Sequence, residues 1–279
     1  MELNEAKYGS RLALSRALTL IENGLSFNSD EDGLVIGVTG PPGVGKSCLV
    51  DRIASSIAKQ GTKVAILAVD PSSPVSGGAL LGDRIRMQSA DIEELIYMRS
   101  LATRGEAGAI PSVVGDMTNL LKECGWKHII VETVGSGQAE FRIAAVADTI
   151  LLVEAPGRGD SIQAEKAGII ELVDLIAVNK SDLPNAESTA ADIEHALSAG
   201  SKEIEVMLVS AQNGDGIEEL VQCILATEGK SLSRPKWREK LNSEWMRQLN
   251  GHPNLEKVLD GLENGNLSLN EAIDKLRGE

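Results

Sequence analysis

Residues 40–47 read Gly-Pro-Pro-Gly-Val-Gly-Lys-Ser, and this stretch decides the fold. It follows the apolar run Leu-Val-Ile-Gly-Val-Thr at 34–39 and precedes a helix-period segment at 47–60. Glycines let consecutive backbone N–H groups turn inward around phosphate oxygens, and the N-terminus of the following helix adds partial positive charge. The pattern G-x-x-x-x-G-K-[ST] between a strand and a helix therefore predicts a phosphate-binding loop.

Two side chains of this loop are assigned chemical roles. We expect Lys46 to reach the β- and γ-phosphates of a nucleotide and the Ser47 hydroxyl to bind Mg²⁺. For Cys48 we expect a small side chain packed beneath the loop rather than a reactive thiol. The other residues expected to touch the nucleotide here are Gly43, Val44 and Gly45, together with Cys48.

The rest of the chain repeats the alternation of strand and helix. The predicted strands are continuous apolar runs, which is typical of strands buried on both faces of a parallel sheet. They lie at residues 34–39, 64–69, 128–132, 149–153, 175–179 and 205–209. The helix-period segments between and after them are 47–60, 113–123, 138–147, 161–172, 186–199 and 216–227. This order predicts an α/β fold with a mostly parallel, doubly wound sheet.

Both ends of the chain depart from this repeat. Residues 8–22 predict an amphipathic helix that packs on the core through Leu12, Leu14, Leu18 and Ile21. Three further helices are predicted near residues 236–249, 254–263 and 269–277. We therefore divide the chain into an N-terminal helical extension, a nucleotide-binding domain and a C-terminal helical segment, at residues 1–30, 31–230 and 231–279.

A second motif, Asn179-Lys180-Ser181-Asp182, follows the fifth predicted strand. A carboxylate there can accept hydrogen bonds from N1–H and the exocyclic amino group of guanine, whereas adenine offers no matching pair of donors. Ser210-Ala211-Gln212 follows the next strand and resembles a loop that completes a guanine pocket. Because ligands of open α/β sheets bind at the carboxyl edge of the strands, the two motifs together predict a guanine nucleotide.

Acidic residues end two of the predicted strands. Asp70 closes the second strand and Glu132 the third, so both should project into the phosphate crevice. A carboxylate beside Mg²⁺ supplies a hard oxygen ligand, directly or through water. The amide of Gly135 can then read the γ-phosphate. The alternative is that one of the two acids only caps its strand.

Composition excludes several classes of partner. The chain has 27 Lys and Arg against 41 Asp and Glu, a net charge of −14, and 3% aromatic residues. Polyanion binding over a broad surface needs basic patches, and single-stranded nucleic acid needs aromatic platforms, so we expect neither nucleic acid nor a membrane as partner. Three dispersed cysteines and a start without a basic or apolar leader favour a cytoplasmic protein.

The motifs together resemble those of the MeaB/ArgK-type G proteins, the GTPase chaperones of methylmalonyl-CoA mutase. The resemblance is carried by five segments read together, since a phosphate loop and a base motif alone describe any GTPase. These segments are residues 37–47, 68–74, 81–87, 131–140 and 156–166. The base motif and residues 10–20 match as well.

The resemblance implies GTP or GDP and Mg²⁺ as ligands, and no cobalamin bound to this chain. It implies a GTPase that gates adenosylcobalamin loading and protects a B12-dependent acyl-CoA mutase. By position, Asp70, Asp83 and Glu132 match the family's Mg²⁺ and switch acids, and we count Lys46, Asp83, Glu132 and Gly135 as catalytic. A further switch that communicates with the mutase matches Asp160, Gln163 and Lys166. The family's homodimer forms through its C-terminal helices.

Three other functions are weighed against this one. A metal-insertion GTPase of the hydrogenase or urease maturation kind would need Cys and His clusters, and the sequence lacks their spacing. A kinase linked to amino-acid transport would bind ATP, which Asn179 and Asp182 disfavour. A binding module that never hydrolyses its nucleotide remains open.

Overall fold

The computed structural model describes residues 2–7, 9–70, 94–102, 113–133, 139–157, 167–198 and 203–277. Within these residues, seven strands form one parallel sheet in the order β3-β2-β4-β1-β5-β6-β7. The strands are β1 Leu34–Thr39, β2 Val64–Asp70, β3 Ile96–Ala102, β4 His128–Glu132, β5 Thr149–Glu154, β6 Leu175–Val178 and β7 Glu205–Leu208. The predicted α/β fold with its parallel sheet is confirmed.

Helices connect and flank the strands. Before the sheet and between β1 and β5 lie α1 Glu2–Lys7, α2 Arg11–Glu22, α3 Lys46–Lys59, α4 Val113–Glu123 and α5 Ala139–Arg142, which continues as a 3₁₀ turn, Ile143–Ala145. After β5 come α6 Ala167–Ile170, α7 Ala186–Ser198 and α8 Ile217–Leu225. The C-terminal helices are α9 Arg234–Asn250, α10 Leu255–Glu263 and α11 Leu269–Arg277.

Alternate residues of the strands feed two separate cores. On one face, Val35 and Ile129 pack with the buried side chains of α2, α4 and α7. On the other face, Ile36 and Ile130 pack with those of α3 and α8. Because helices cover both faces, the interior positions of the central strands carry apolar residues or glycine, and β1, β4, β5 and β6 are buried along their whole length. The sheet is therefore doubly wound, as the continuous runs predicted.

The apolar patterns in the sequence give a wrong prediction for the two edge strands, β3 and β7. β3 was not predicted, because Arg99 and Ser100 interrupt its apolar pattern, yet it pairs with β2 over seven residues. β7 was predicted as a strand buried on both faces, but Glu205 and Leu208 are exposed. An edge strand has a neighbour on one side only, so its sequence need not be continuously apolar.

Helix α2 lies against the β3 edge. It begins after Ser10, whose hydroxyl accepts a hydrogen bond from the Ala13 amide at 3.2 Å. The guanidinium of Arg99 donates to the Ser15 carbonyl at 3.0 Å and to Glu22 at 2.5 Å. Three of the four apolar residues predicted to pack inward are buried, whereas Leu12 is 63% exposed and points away from the core.

Helix α9 meets the rest of the chain through charged side chains. Lys236 is 2% exposed and donates to the Asp148 carbonyl at 2.7 Å and to the Asp174 carboxylate. One turn later, Lys240 pairs with the Asp148 carboxylate at 3.0 Å. The large apolar residues of α9 face outward instead.

The last helix begins with a capping box. The Ser268 amide donates to the Glu271 carboxylate at 2.8 Å, and the Glu271 amide returns to the Ser268 hydroxyl at 3.4 Å. Val258 and Ala272 are buried where α10 packs on α11. The domain boundaries at residues 30 and 230 stay predictions. Among the helices described, not one has the length and apolar character needed to cross a bilayer.

Candidate nucleotide-binding site

The site lies at the carboxyl edge of the central strands, where the strand order reverses around β1. β2 and β4 continue the sheet on one side of β1, and β5, β6 and β7 on the other. The chain leaves β1 into the 40–47 loop, so this loop opens at the crevice where α/β sheets bind their ligands.

The loop passes so close to β5 that glycine is required. At Gly40, with φ +141°, a Cβ atom would lie 2.1 Å from the Val153 carbonyl oxygen. Gly45 precedes α3 with φ +93°, and a Cβ there would lie 2.6 Å from the Asn179 side-chain nitrogen. The close approach to the β5 backbone thus requires Gly40, and the positive φ beside the Asn179 side chain favours Gly45, independent of any ligand.

Lys46 is held inside the loop. Its side chain is 7% exposed, and its ammonium donates to the carbonyls of Gly40 at 2.8 Å and Pro41 at 3.0 Å. A buried ammonium needs such acceptors. Anionic phosphate oxygens would be stronger acceptors than these neutral carbonyls, so the lysine is placed to exchange them for a phosphate.

Ser47 and Glu132 bring the loop and the end of β4 together. The Ser47 hydroxyl donates to Glu132 Oε1 at 2.7 Å, and the Glu132 side chain is 5% exposed. Beside them, the Thr133 amide donates to the Val38 carbonyl and its hydroxyl lies 3.0 Å from that of Thr39. A hydroxyl and a carboxylate are hard oxygen ligands, so this pair fits a Mg²⁺ ion.

Asn179 ties the base motif to the phosphate loop. It is 2% exposed; its amide nitrogen donates to the Val44 carbonyl at 2.8 Å, and its side-chain oxygen accepts from the Ala211 amide at 3.0 Å. The next residue, Lys180, has φ +63° and donates to the Gly43 carbonyl at 2.8 Å. Three loops at the ends of β1, β6 and β7 are therefore joined by two adjacent side chains.

Asp182 stands at the open end of this arrangement. It is exposed, and its Oδ1 accepts a hydrogen bond from the buried Ser210 hydroxyl at 2.5 Å. The Ser181 amide donates to the Val209 carbonyl at 3.0 Å, which keeps the two loops in register beyond the strands. The carboxylate is thereby fixed in direction while it stays accessible to a ligand.

Several predicted site residues lie outside the described residues: Asp83, Gly135, Asp160, Gln163 and Lys166. The Asp70 backbone lies at the end of β2, where it pairs with Ala102 of β3. Gln212 is exposed in the loop after β7. For Cys48 the expectation was wrong: the thiol is exposed on the surface of α3 instead of packing beneath the loop.

Two contacts of the site had no signal in the sequence. Arg52, on the exposed side of α3, donates from Nε to the Ala211 carbonyl at 2.8 Å and from Nη2 to the Gln212 carbonyl at 3.0 Å. The hydroxyl pair of Thr39 and Thr133 is the other. Neither belongs to a recognisable spacing, because both depend on which strands become neighbours.

The opposite edge of the sheet has a different character. A cavity of about 900 Å³ opens there between the amino ends of β1, β5, β6 and β7 and the segment leading into α9. Nearby, burial lowers the pKa of His128 at the start of β4, although Glu228 acts against this shift. This edge is separated from the phosphate loop by the length of the strands.

Comparison with known proteins agrees with the geometry. Residues 14–260 match the family described as methylmalonyl-CoA mutase-associated GTPase MeaB. The GTPase ArgK of Escherichia coli is 31% identical over 88% of this chain and 82% of its own length. The mouse mitochondrial methylmalonic aciduria type A homolog is 32% identical over 86% of this chain and 64% of its own.

A Pyrococcus abyssi protein described as a GTPase is 40% identical over 70% of this chain, and the match spans 63% of that protein. Among solved structures, a LAO/AO transport system kinase superposes over 99% of this chain and 95% of its own with a TM-score of 0.67 at 23% identity. Nickel-bound HypB of Helicobacter pylori covers 77% of this chain and 93% of its own with a TM-score of 0.54 at 15% identity. These two likenesses concern the fold alone. With its family match extending from α2 to α10, the chain belongs to the MeaB family of GTPases.

Proposed function

We propose that this protein binds and hydrolyses GTP and uses the nucleotide state to act on a B12-dependent acyl-CoA mutase. In this proposal it gates adenosylcobalamin loading and protects the mutase from inactivation. The family's description as mutase-associated and the name of the mouse relative support the partner. The observation that carries the nucleotide part is Asn179, which bonds both the phosphate loop and the loop after β7.

Guanine recognition is assigned to Asp182. Its carboxylate would accept the N1–H and amino hydrogens of guanine, and the Ser210 hydroxyl at 2.5 Å fixes its direction. Adenine presents an acceptor at the position of the N1–H, so it would meet the carboxylate with repulsion. Lys180 and the segment of Ala211 and Gln212 would complete the walls of the pocket.

Phosphate and metal binding are assigned to the other half of the site. Ser47 and Glu132 would hold Mg²⁺, with Asp70 and Asp83 as further acids and Lys46 on the β- and γ-phosphates. Held by these residues, Mg²⁺ would supply positive charge to the phosphate oxygens during transfer. The Gly135 amide would bind the γ-phosphate, and the segments 43–45 and 47–48 would supply backbone N–H donors.

Water attacks the γ-phosphate and GDP and inorganic phosphate leave. Among the described residues of the crevice, Glu132 is assigned to Mg²⁺ together with Ser47, so it would not serve as the base for the attacking water. We therefore propose slow hydrolysis by this chain alone, because positioning supplies most of the rate in phosphoryl transfer. The partner would accelerate it through the segment that contains Asp160, Gln163 and Lys166.

A homodimer through the C-terminal helices is part of the proposal. Trp237, Leu241 and Trp245 recur every fourth residue of α9 and are 53%, 67% and 66% exposed. Side chains spaced by four share one face of a helix, so they form a continuous apolar surface that a second copy would bury. Light scattering should give twice the monomer mass for the native chain and one monomer mass for Leu241→Glu, with the exposed Gln60→Glu as control.

The partner is tested by co-elution. Methylmalonyl-CoA mutase is mixed with the native chain in GDP, in a non-hydrolysable GTP analogue, or without nucleotide, and the mixtures are separated by size. We expect a complex whose amount depends on the nucleotide, and an increase in single-turnover GTP hydrolysis when the mutase is added. Lys46→Ala should remove the nucleotide dependence. Failure of the mutase to co-elute in all three states and to change hydrolysis would contradict the proposed partner.

A further inference from the structure

A residue that belongs to neither sequence motif, Arg52, binds the loop after β7. Arg52 lies six residues after Lys46, on the second turn of α3, and its guanidinium reaches across to two successive carbonyls. Nε bonds the Ala211 oxygen at 2.8 Å and Nη2 bonds the Gln212 oxygen at 3.0 Å. A planar guanidinium offers donors in fixed directions, so two bonds determine where this backbone segment lies.

Ala211 is consequently held on both sides. Its amide donates to Asn179 Oδ1 at 3.0 Å, while its carbonyl accepts from Arg52. Asn179 is in turn anchored on the Val44 carbonyl of the phosphate loop at 2.8 Å. The alanine side chain is buried and its neighbour Ser210 is fully buried, so the loop has little room for another position.

Both anchors of the loop start from the phosphate side of the site. Asn179 donates a hydrogen bond to the loop that precedes α3, and Arg52 is a residue of α3 itself. A shift of α3 that follows phosphate or Mg²⁺ binding at Ser47 would therefore carry the base loop with it. Cys48 and Lys59 on the same helix are exposed, but the structure gives neither of them a hydrogen bond to this loop.

We propose that Arg52 is a positioning residue for guanine selection, which it exerts by fixing the Ser210–Gln212 backbone against the phosphate-binding helix. The inference rests on the proposed function, since it assigns a role within the guanine site. Arg52 touches no reacting atom. Its contribution is to keep the loop beside Asp182, whose Oδ1 is bonded by the Ser210 hydroxyl.

The proposal predicts a loss that depends on the base. Adenine makes no matched bonds in this pocket, so ADP binding depends mainly on the phosphate loop and should change little when the base loop is released. GDP uses both halves and should bind less well to Arg52→Ala. We expect the ratio of ADP to GDP dissociation constants to fall about tenfold, the scale of losing two modest hydrogen bonds. Arg52→Lys keeps a donor group for one of the two carbonyls, so the ratio should fall only about threefold for this variant.

The experiment compares the native chain, both Arg52 variants and Lys59→Ala. For each protein, the dissociation constant for GDP is measured with a ribose-labelled fluorescent analogue, and that for ADP is measured by competition against the same analogue. Lys59→Ala removes an exposed cation of the same helix and should leave the ratio unchanged. Thermal unfolding without nucleotide monitors the fold of each variant. The expected result is a base-dependent loss in Arg52→Ala with partial recovery in Arg52→Lys.

Two results would overturn the inference. The first is a GDP affinity of Arg52→Ala within twofold of the native chain. The second is an equal loss of GDP and ADP binding, which would assign Arg52 to general stability. If the native chain itself does not prefer GDP over ADP, the proposed guanine site fails, and this outcome is visible before any variant is compared.

Discussion

Replacing Asp182 by asparagine should change which base this protein prefers. Asparagine keeps the shape of the side chain but exchanges one acceptor oxygen for a donor amide. Guanine would then lose the acceptor for its amino group, whereas xanthine carries a carbonyl at the same ring carbon and would accept from the new amide. The variant should therefore favour XDP over GDP.

The size of the change follows from the environment of the carboxylate. Hydrogen bonds to a charged acceptor contribute about 1.5–3 kcal/mol each. Asp182 is exposed, which favours the lower end of this range, and its orientation is fixed by the Ser210 hydroxyl at 2.5 Å. One such bond is lost and the other is left on a neutral oxygen, which together amount to about 2 kcal/mol, or roughly thirtyfold in the dissociation constant for GDP.

Competition of GDP and XDP against a fluorescent GDP analogue measures this directly for the native chain and for Asp182→Asn. Asp192→Asn removes an exposed carboxylate of α7 and serves as the control for net charge. If Asp182→Asn keeps a GDP-to-XDP preference within threefold of the native value, Asp182 does not read the base and the guanine assignment is wrong.

Three further predictions concern the phosphate loop and the opposite edge of the sheet. Gly40→Ala should abolish GDP binding in fluorescence titration, because a Cβ would lie 2.1 Å from a carbonyl oxygen of β5, whereas Gly61→Ala enters open space and should keep binding. Lys236→Met should lower the free energy of unfolding in urea by about 2 kcal/mol, since it leaves a partly buried carboxylate without its cation, and Lys240→Met by less than about 1 kcal/mol because its pair is more exposed. Burial lowers the pKa of His128 below its ordinary value of 6.5. As the pH falls through about 6.5, the unfolded chain therefore binds a proton at this histidine before the folded chain does. The contribution of neutral His128 to the free energy of unfolding is then fully present above that pH and decreases below it. His128→Gln should lose less stability than the native chain in urea titrations between pH 7 and pH 5.5.

Each of these has a result that would count against it. Normal GDP binding by Gly40→Ala would mean that the loop can move away from β5. Equal effects of the two lysine variants would show that burial of Lys236 adds nothing to its ion pair. An unchanged pH dependence in His128→Gln would assign the loss of stability in acid to other groups.

The sequence predicted the centre of the sheet well because that part is governed by burial. β1, β4 and β5 are buried on both faces, so their interior positions carry apolar residues or glycine, and the pattern is visible without a structure. The edge strand β3 has partners on one side only and carries Arg99, which bonds α2. Its pattern is set by a neighbour from another part of the chain.

The candidate site divides in the same way. The phosphate loop and the base motif are each continuous in sequence, so both could be predicted from the spacing of their residues. The bond between Ser47 and Glu132 joins residues 85 positions apart, and its formation depends on β4 lying next to β1. Arg52 lies 159 residues from Ala211 and belongs to no motif. Contacts of this kind follow from the strand order, which sequence periodicity does not give.

Helix α9 differs from the usual arrangement of an amphipathic helix. An amphipathic helix normally turns its apolar face to the core. In α9, Lys236 and Lys240 face the sheet while Trp237 and Trp245 face outward. The sequence alone predicts a helix here. The direction of its apolar face depends on Asp148 and Asp174, which lie at the amino ends of β5 and β6 and bind the two lysines on the opposite face of the helix.

Single-turnover nucleotide hydrolysis tests the central claim most directly. The purified chain, in excess over nucleotide and with Mg²⁺, is followed for phosphate release from GTP and, separately, from ATP, with Lys46→Ala as the control for contaminating hydrolases. The account predicts slow phosphate release from GTP that requires Mg²⁺, little from ATP, and none above background for Lys46→Ala. Hydrolysis of ATP as fast as that of GTP, or phosphate release that persists in Lys46→Ala, would contradict it.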